Sequence, residues 1–367
     1  MAEQSHIMLV LGTRPETIKL APVIRELGRR NHPYTVVHTG QHYSESLDSV
    51  FFDRLDLPAP GYNLGVGSQS HARQTGEMMR KLDPIVETEN PDFLLVQGDT
   101  NSALAGALVA AKQETQLGHL EAGLRSCDRE MPEGINRILI DHAADYLFPP
   151  TETAKTVLAA ENRTQHCFVT GNTIVDAIRQ HEAMAAEKST ALEDFGLSPE
   201  GYALLTAHRA ENVDDPNTFG NILQGVAGFA TRTGLDCLYP IHPRARNQLE
   251  QVTVPETIRL VEPLDFLDFL HVERNAAIVF TDSGGVQEET CILQVPCVTV
   301  RDSTERPESV EVGANTVAGT QSTAITAAGL QMLDGPTEWS CPFGDGAAAK
   351  YILDVLERGE MEMKRHV

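Results

Sequence analysis

The stretch Ala277-Ile278-Val279-Phe280-Thr281-Asp282-Ser283-Gly284-Gly285-Val286-Gln287-Glu288-Glu289 decides the fold. Its first half is short, apolar and rich in β-branched side chains, the pattern of a strand buried on both faces. Its second half is a Ser-Gly-Gly turn leading into helix formers. A buried strand feeding directly into a helix is one βα unit of a parallel sheet. Ser283, Gly284 and Gly285 would then expose backbone N–H groups at the positive end of that helix, where phosphate binds. An ordinary glycine-rich turn is the alternative. Glu288 and Glu289 follow about one turn in, where either can accept from ligand hydroxyls.

The same alternation extends outward in both directions. Tyr202-Ala203-Leu204-Leu205-Thr206, Cys237-Leu238-Tyr239-Pro240-Ile241 and Ile258-Arg259-Leu260-Val261 precede it, and Cys297-Val298-Thr299-Val300 follows. The first half of the chain repeats the theme. His6 to Leu11 is stopped by Gly12, and a helix is expected from Pro15 to Arg30. Tyr34 to Val37, Phe93 to Val96 and Gly118 to Leu120 come next, each before a helical pattern. A chain of 367 residues exceeds what one core usually organises. The polar, alanine-rich stretch Gln180 to Ser198 separates the two sets, and a helix from Thr173 to Glu187 leads into the second. The expected architecture is α/β, with two Rossmann-like doubly wound domains, parallel sheets and a cleft between them.

Composition narrows the function classes. The net charge is -23, from 29 basic and 52 acidic side chains. Such a field repels nucleic acid and anionic lipid, so neither is an expected partner. An anionic ligand needs its own local cluster of Arg, Lys and helix N-termini. An acidic, lysine-poor surface also suggests a high-salt cytoplasm. Cys127, Cys167, Cys237, Cys291, Cys297 and Cys341 are scattered without zinc-type spacing and are read as small buried hydrophobes in a reducing compartment. No basic-apolar-small leader precedes the first strand, and no apolar run approaches the ~20 residues of a membrane helix. A cytoplasmic location is expected. Neither Gly-x-Gly-x-x-Gly nor a Walker lysine motif occurs, so no cofactor and no metal are expected.

Ligands of such sheets sit at the carboxyl ends of the strands. Gly12 ends the first strand, and Arg14 and Lys19 lie one to two turns into the following helix, within reach of an anion. Asp99 stands where the strand Phe93 to Val96 meets a helix, a position that also suits an N-cap. Glu121 ends the next strand, and Glu133 precedes a helix expected near Ile135. Three carboxylates facing one strand-end edge suit acid-base chemistry, and crowding would raise at least one of their pKa values. In the second half His208 and His242 end two strands, with Pro243 restricting His242 to extended geometry. Arg306 starts another helix and can reach the same anion as the Ser-Gly-Gly turn.

Together these motifs resemble the non-hydrolysing UDP-N-acetylglucosamine 2-epimerase family. The likeness runs through Gly12 to Lys19, Gln97 to Thr100, Glu121 to Arg125, Pro132-Glu133, Thr170 to Thr173, Thr206 to Asn212, Pro240 to Pro243, Thr281 to Glu289 and Thr304 to Glu308. It implies a glycosyltransferase-B-type fold with UDP in the cleft, and a homodimer. The implied domains are 1–171, carrying the acid-base carboxylates, 172–346, binding UDP, and a C-terminal helix, 347–367, crossing back to the first. Asp99, Glu121, Glu133 and His208 match the family's catalytic positions, with Arg14 and Lys19 facing the substrate. Ser283, Gly284, Gly285, Glu289 and Arg306 match the UDP-binding set, and Phe269 matches a residue that packs near the uracil. The implied reaction interconverts UDP-N-acetylglucosamine and UDP-N-acetylmannosamine. UDP is eliminated across carbons 1 and 2 to give 2-acetamidoglucal and then adds back, with no cofactor.

Three departures stand out. Gly134 follows Glu133 where the family often has a second glutamate, Ala210 replaces an arginine of a His-Arg-Arg-Glu run, and Gln41-His42-Tyr43 replaces Gln-His-Arg. Several of these positions contact a second, activating UDP-N-acetylglucosamine in bacterial members, so that allosteric site is expected to be weakened or absent. The competing readings are a UDP-sugar glycosyltransferase of the same fold, a hydrolysing epimerase that releases N-acetylmannosamine, and a non-catalytic nucleotide-sugar sensor.

Overall fold

A computed structural model describes residues 4–41, 51–125 and 132–363, the side chains of 359–363 excepted. His42, Tyr43, Cys127 and Met131 lie outside the described residues. The chain divides into two compact units, Met1–Ala177 with Phe343–Val367, and Ile178–Pro342.

In the first unit, β1 (Ile7–Leu11), β2 (Tyr34–His38), β3 (Tyr62–Asn63), β4 (Phe93–Gln97), β5 (Gln116–Leu120) and β6 (Tyr146–Phe148) form one sheet in the order β3-β2-β1-β4-β5-β6. Every pairing is parallel. Helices α1 (Arg14–Arg30), α2 (His71–Glu89), α3 (Asn101–Ala110), α4 (Pro132–Ala143) and α5 (Glu152–Ala160) supply the crossovers. Because both faces are covered, Phe93, Leu94, Leu95 and Val96 are all fully buried rather than alternating. Each such side chain contributes about 1.5–3 kcal/mol relative to exposure. Leu95→Ala would cost roughly 2–5 kcal/mol. Helix α4 begins at Pro132 rather than near Ile135, because proline's fixed φ and missing N–H suit a first helical turn.

Helix α6 (Thr173–Lys188) crosses the division between the units. The second unit repeats the first. Strands β7 (Tyr202–Thr206), β8 (Asp236–Pro240), β9 (Ile258–Val261), β10 (Ile278–Thr281), β11 (Cys297–Thr299) and β12 (Asn315–Val317) run in the order β12-β11-β10-β7-β8-β9. This is the same winding read from the other edge, and again all parallel. The longer helices are α7 (Pro216–Thr233), α8 (Phe266–Arg274), α9 (Gly284–Leu293) and α10 (Ser322–Leu333). Asp215 caps α7 through the N–H groups of Asn217 and Thr218, and Gly234 ends it in the left-handed conformation.

Helix α11 (Ala348–Met363) returns to the first unit. The buried Asp176 carboxylate accepts from the N–H groups of Ala348 and Ala349, satisfying two donors at its start. Arg30 of α1 pairs with Asp354 and Glu357, both at 2.7 Å. In both sheets the winding reverses direction once, between β1 and β4 and between β7 and β10. Those two crevices are where such folds place ligands. Among the described residues, no helix is long and apolar enough to cross a membrane.

Candidate active site

At the crevice of the first unit, Gly12 leaves β1 with no room for a side chain. A Cβ there would lie 2.0 Å from Thr39 Oγ1 and 2.2 Å from Ser102 Oγ. Thr13 and Glu16 then form a reciprocal cap on α1. Glu16 Oε2 accepts from Gly12 N at 3.0 Å and from the Thr13 hydroxyl at 2.9 Å, while Thr13 Oγ1 accepts from Glu16 N. Thr100, the N-cap of α3, donates to Glu16 Oε1 at 2.6 Å, so one carboxyl ties both sides of the crevice. Burial pushes the Glu16 carboxyl up to about 7, against the lowering pull of those hydrogen bonds.

Two of the three expected acids meet cations here. Lys19 Nζ donates to Glu121 Oε1 at 2.5 Å. Gln97 and Asn172 complete the set with bonds of 2.6 and 2.9 Å. Glu121 sits at φ 63°, a left-handed conformation that a non-glycine residue holds only when its surroundings impose it. Arg137 of α4 bridges the two acids, donating to the Asp99 carboxylate at 2.5 Å and to the Glu121 carbonyl at 2.8 Å. The Glu121 side chain is 4% exposed and that of Asp99 is 30%. Glu133 is exposed in the first turn of α4. Beneath them His119 fixes the strand ends. Its Nδ1 meets Asp141 at 2.6 Å and its Nε2 meets the Gly98 carbonyl at 2.8 Å. Burial alone would raise the Asp141 carboxyl, but His119 and Arg125 outweigh it and hold it below its ordinary value.

The crevice of the second unit is built differently. The fully buried Asp282 accepts from the backbone N–H groups of His208 and Arg209, both at 2.9 Å, and from Asn212 at 3.1 Å. These bonds shape the loop that presents His208. The His208 ring lies 5.2 Å from that of His242. His242 Nδ1 accepts from Arg244 N at 3.2 Å, which places its proton on Nε2. Burial, reinforced by His208, lowers the His242 pKa. Ser283 caps α9 by accepting from Val286 N, and its own N–H donates to Thr281. The N–H groups of Gly284 and Gly285 meet no acceptor among the described residues. Two open donors at a positive helix end are the essentials of a phosphate site.

The remaining expected residues are placed as follows. Arg14 is exposed, with its guanidinium 5.7 Å from the Phe51 ring centroid. Arg306 lies 2.6 Å from the buried Glu288, so Glu288 anchors Arg306 while Glu289, half-buried, faces outward more. Phe269 sits in the first turn of α8. Sequence reading assigned no role to Glu16, Gln97, Arg137, Asn172 or Asp282. The Thr13-x-x-Glu16 spacing is a readable capping signal, and Arg137 falls four residues after Glu133 on the same helix face. Asp282 gave no such signal, since its partners lie 70 or more residues away.

Two sheets wound alike, acids at one reversal point and an open helix start at the other, place this chain in the glycosyltransferase-B-type class of α/β enzymes. Within that class it belongs to the UDP-N-acetylglucosamine 2-epimerase family, whose sequence profile matches residues 25–357. A UDP-N-acetylglucosamine 2-epimerase of Methanocaldococcus jannaschii is 45% identical over 363 residues, covering 96% of this chain and 99% of the relative. The crystal structure of that organism's enzyme in complex with UDP-N-acetylglucosamine and UDP matches with a TM-score of 0.87, over 96% of this chain and 99% of that one. A UDP-2,3-diacetamido-2,3-dideoxy-D-glucuronate 2-epimerase of Pseudomonas aeruginosa is 36% identical, covering 85% of this chain and 88% of the relative.

Proposed function

We propose that this chain interconverts UDP-N-acetylglucosamine and UDP-N-acetylmannosamine without net hydrolysis. The single observation that carries the reading is the paired equipment of its two crevices. One holds cation-anchored carboxylates, and the other offers two open N–H donors at a helix start. A carboxylate takes the carbon-2 proton as the carbon 1–oxygen bond breaks. The bonding electrons leave with the diphosphate, and 2-acetamidoglucal forms. An acid then returns a proton to the opposite face while a UDP oxygen re-forms the bond to carbon 1. Carbon 2 is a weak acid, so stabilising the departing diphosphate matters as much as the base. Gly284 and Gly285 N–H, with Arg306, supply that stabilisation, and His208 stands beside it. His242 and Phe269 complete the UDP-binding set, Phe269 against the uracil.

Exposure divides the acids. Asp99 and Glu133 are accessible enough to exchange protons with a sugar, whereas Glu121 is saturated by Lys19, Gln97 and Asn172 and holds Lys19 in place. Arg14 and Lys19 face the substrate. A homodimer working in the cytoplasm belongs to the same proposal, as does the lack of nucleic-acid and membrane partners, which alone the net charge of -23 supports. The test is proton NMR of UDP-N-acetylglucosamine with enzyme in heavy water. The expected product is mannosamine-configured UDP-sugar with deuterium at carbon 2. Free N-acetylmannosamine with UDP, or product without deuterium, would overturn it. The relative from P. aeruginosa makes its own diacetamido sugar the second substrate to assay, and faster turnover of that sugar would reassign the specificity.

A further inference from the structure

Helix α8 carries a carboxyl group that the proposed mechanism does not use. Glu273, in its last turn, is fully buried, and among the described residues no amide, hydroxyl or cationic donor reaches either of its oxygens. An isolated buried carboxylate would be strongly unfavourable. Its one side-chain hydrogen-bond partner is another carboxyl, that of Glu289 on α9. Two carboxyl groups in hydrogen-bond contact share one proton, and the more buried keeps it.

Among the described residues no cation pairs with Glu273. Tyr202 on β7 donates its hydroxyl to the Val272 carbonyl, and the Cys297 thiol on β11 is pushed up to about 12, chiefly by burial. Arg274 points to Glu182, at 2.8 Å. Glu193 and Asp194 lie on the short helix Ala191–Asp194, which also packs against α8. Burial first, and then Glu289, raise the Glu273 carboxyl well above its ordinary value. Phe269 lies one turn earlier on the same face of α8.

We infer that Glu273 is a positioning residue, a neutral acid whose O–H donates to Glu289 and fixes that carboxylate for a vicinal diol of the bound nucleotide. The inference rests on placing Glu289 in the UDP-binding set, with the ribose hydroxyls of UDP as the ligand hydroxyls it accepts from. Glu273 touches no substrate and acts only through Glu289. A neutral donor leaves the charge of Glu289 intact for accepting from hydroxyls, and ionisation at alkaline pH replaces the hydrogen bond with repulsion.

The experiment measures UDP affinity and steady-state kinetics across pH for Glu273→Gln, Glu273→Leu, Glu289→Ala and the Leu/Ala double variant, with a thermal melt of each. Gln donates without ionising. It should keep UDP affinity and KM within about threefold of wild type near neutrality and remove the alkaline rise in KM. Leu keeps the volume and loses the donor, so UDP affinity should fall about tenfold, with a larger change in KM than in kcat. The double variant should bind UDP no more weakly than Glu289→Ala alone. Wild-type UDP affinity in Glu289→Ala would overturn the ribose reading and this inference with it. Weak binding in Glu289→Ala together with wild-type behaviour of folded Glu273→Leu, or additive losses in the double variant, would overturn this inference alone.

Discussion

The two reversal crevices are wound identically yet finished with opposite chemistry. Each is closed by one buried carboxyl group that reaches across the strands, Glu16 between β1 and β4, and Asp282 between β7 and β10. Glu16 is held mainly by hydroxyls, and Asp282 mainly by amide N–H groups. In the first unit cations then point at acids, Lys19 at Glu121 and Arg137 at Asp99. In the second, backbone donors of α9 are left open. The lesson is that strand order locates a site, while the residues just beyond the strands decide whether it handles protons or anions.

The largest effect should come from testing that split directly. Asp99→Asn keeps the shape and removes the charge that Arg137 holds, and Glu121→Gln weakens the grip on Lys19. Asp99→Asn should lower kcat by about 10²–10⁴-fold and Glu121→Gln by a smaller factor that acts through Lys19, each with UDP affinity within about threefold of wild type. Stopped-assay turnover and UDP calorimetry check this. Near-normal turnover in both variants would mean that the first crevice is not the proton-handling one.

The next effect concerns stability. The Glu16 carboxyl sits at about 7 in the folded chain against 4.5 for the ordinary group. Folding therefore favours its neutral form. The stability it confers is complete below pH 4.5, falls as pH rises toward 7, and is fully lost above that. The difference is about 3 kcal/mol. Glu16→Gln imitates the neutral acid, so the gap in unfolding free energy between wild type and variant should change by that order between pH 4.5 and 8. Urea melts at several pH values measure it, and a gap that does not move with pH would remove the protonation argument.

Much of this was readable beforehand, for definite reasons. Continuous apolar runs such as Phe93 to Val96 betray strands buried on both faces, and Thr281 to Glu289 marks the junction of β10 and α9. The edge strands β3, β6 and β12 escaped because two or three residues carry no periodicity. Asp99 and Glu121 stood out in the sequence because they end strands. Their cations were only half visible, since Arg137 comes from a helix whose start was placed three residues late. Asp99 and Glu121 meet Arg137 and Lys19, and the buried Glu16, one helical turn before Lys19, is a raised carboxyl of the same crevice.

The smallest expected effect isolates the anion side. Gly284 is the first helical residue of α9, preceded by Ser283 at φ -90° and ψ 126°, an extended geometry that a following proline accepts. Gly284→Pro therefore deletes one open N–H while leaving the helix and its Ser283 cap in place. The added Cβ would lie 3.3 Å from Glu305 Oε2, the end of a flexible side chain that can yield by a few tenths of an ångström. The melting temperature should stay close to wild type, while UDP affinity falls about tenfold, the worth of one charge-assisted hydrogen bond. Because the acids lie in the other unit, the carbon-2 exchange rate at saturating substrate should fall less than affinity does. Loss of exchange at unchanged affinity would show that the second crevice serves the proton transfers as well, and the division of labour between the two would not stand.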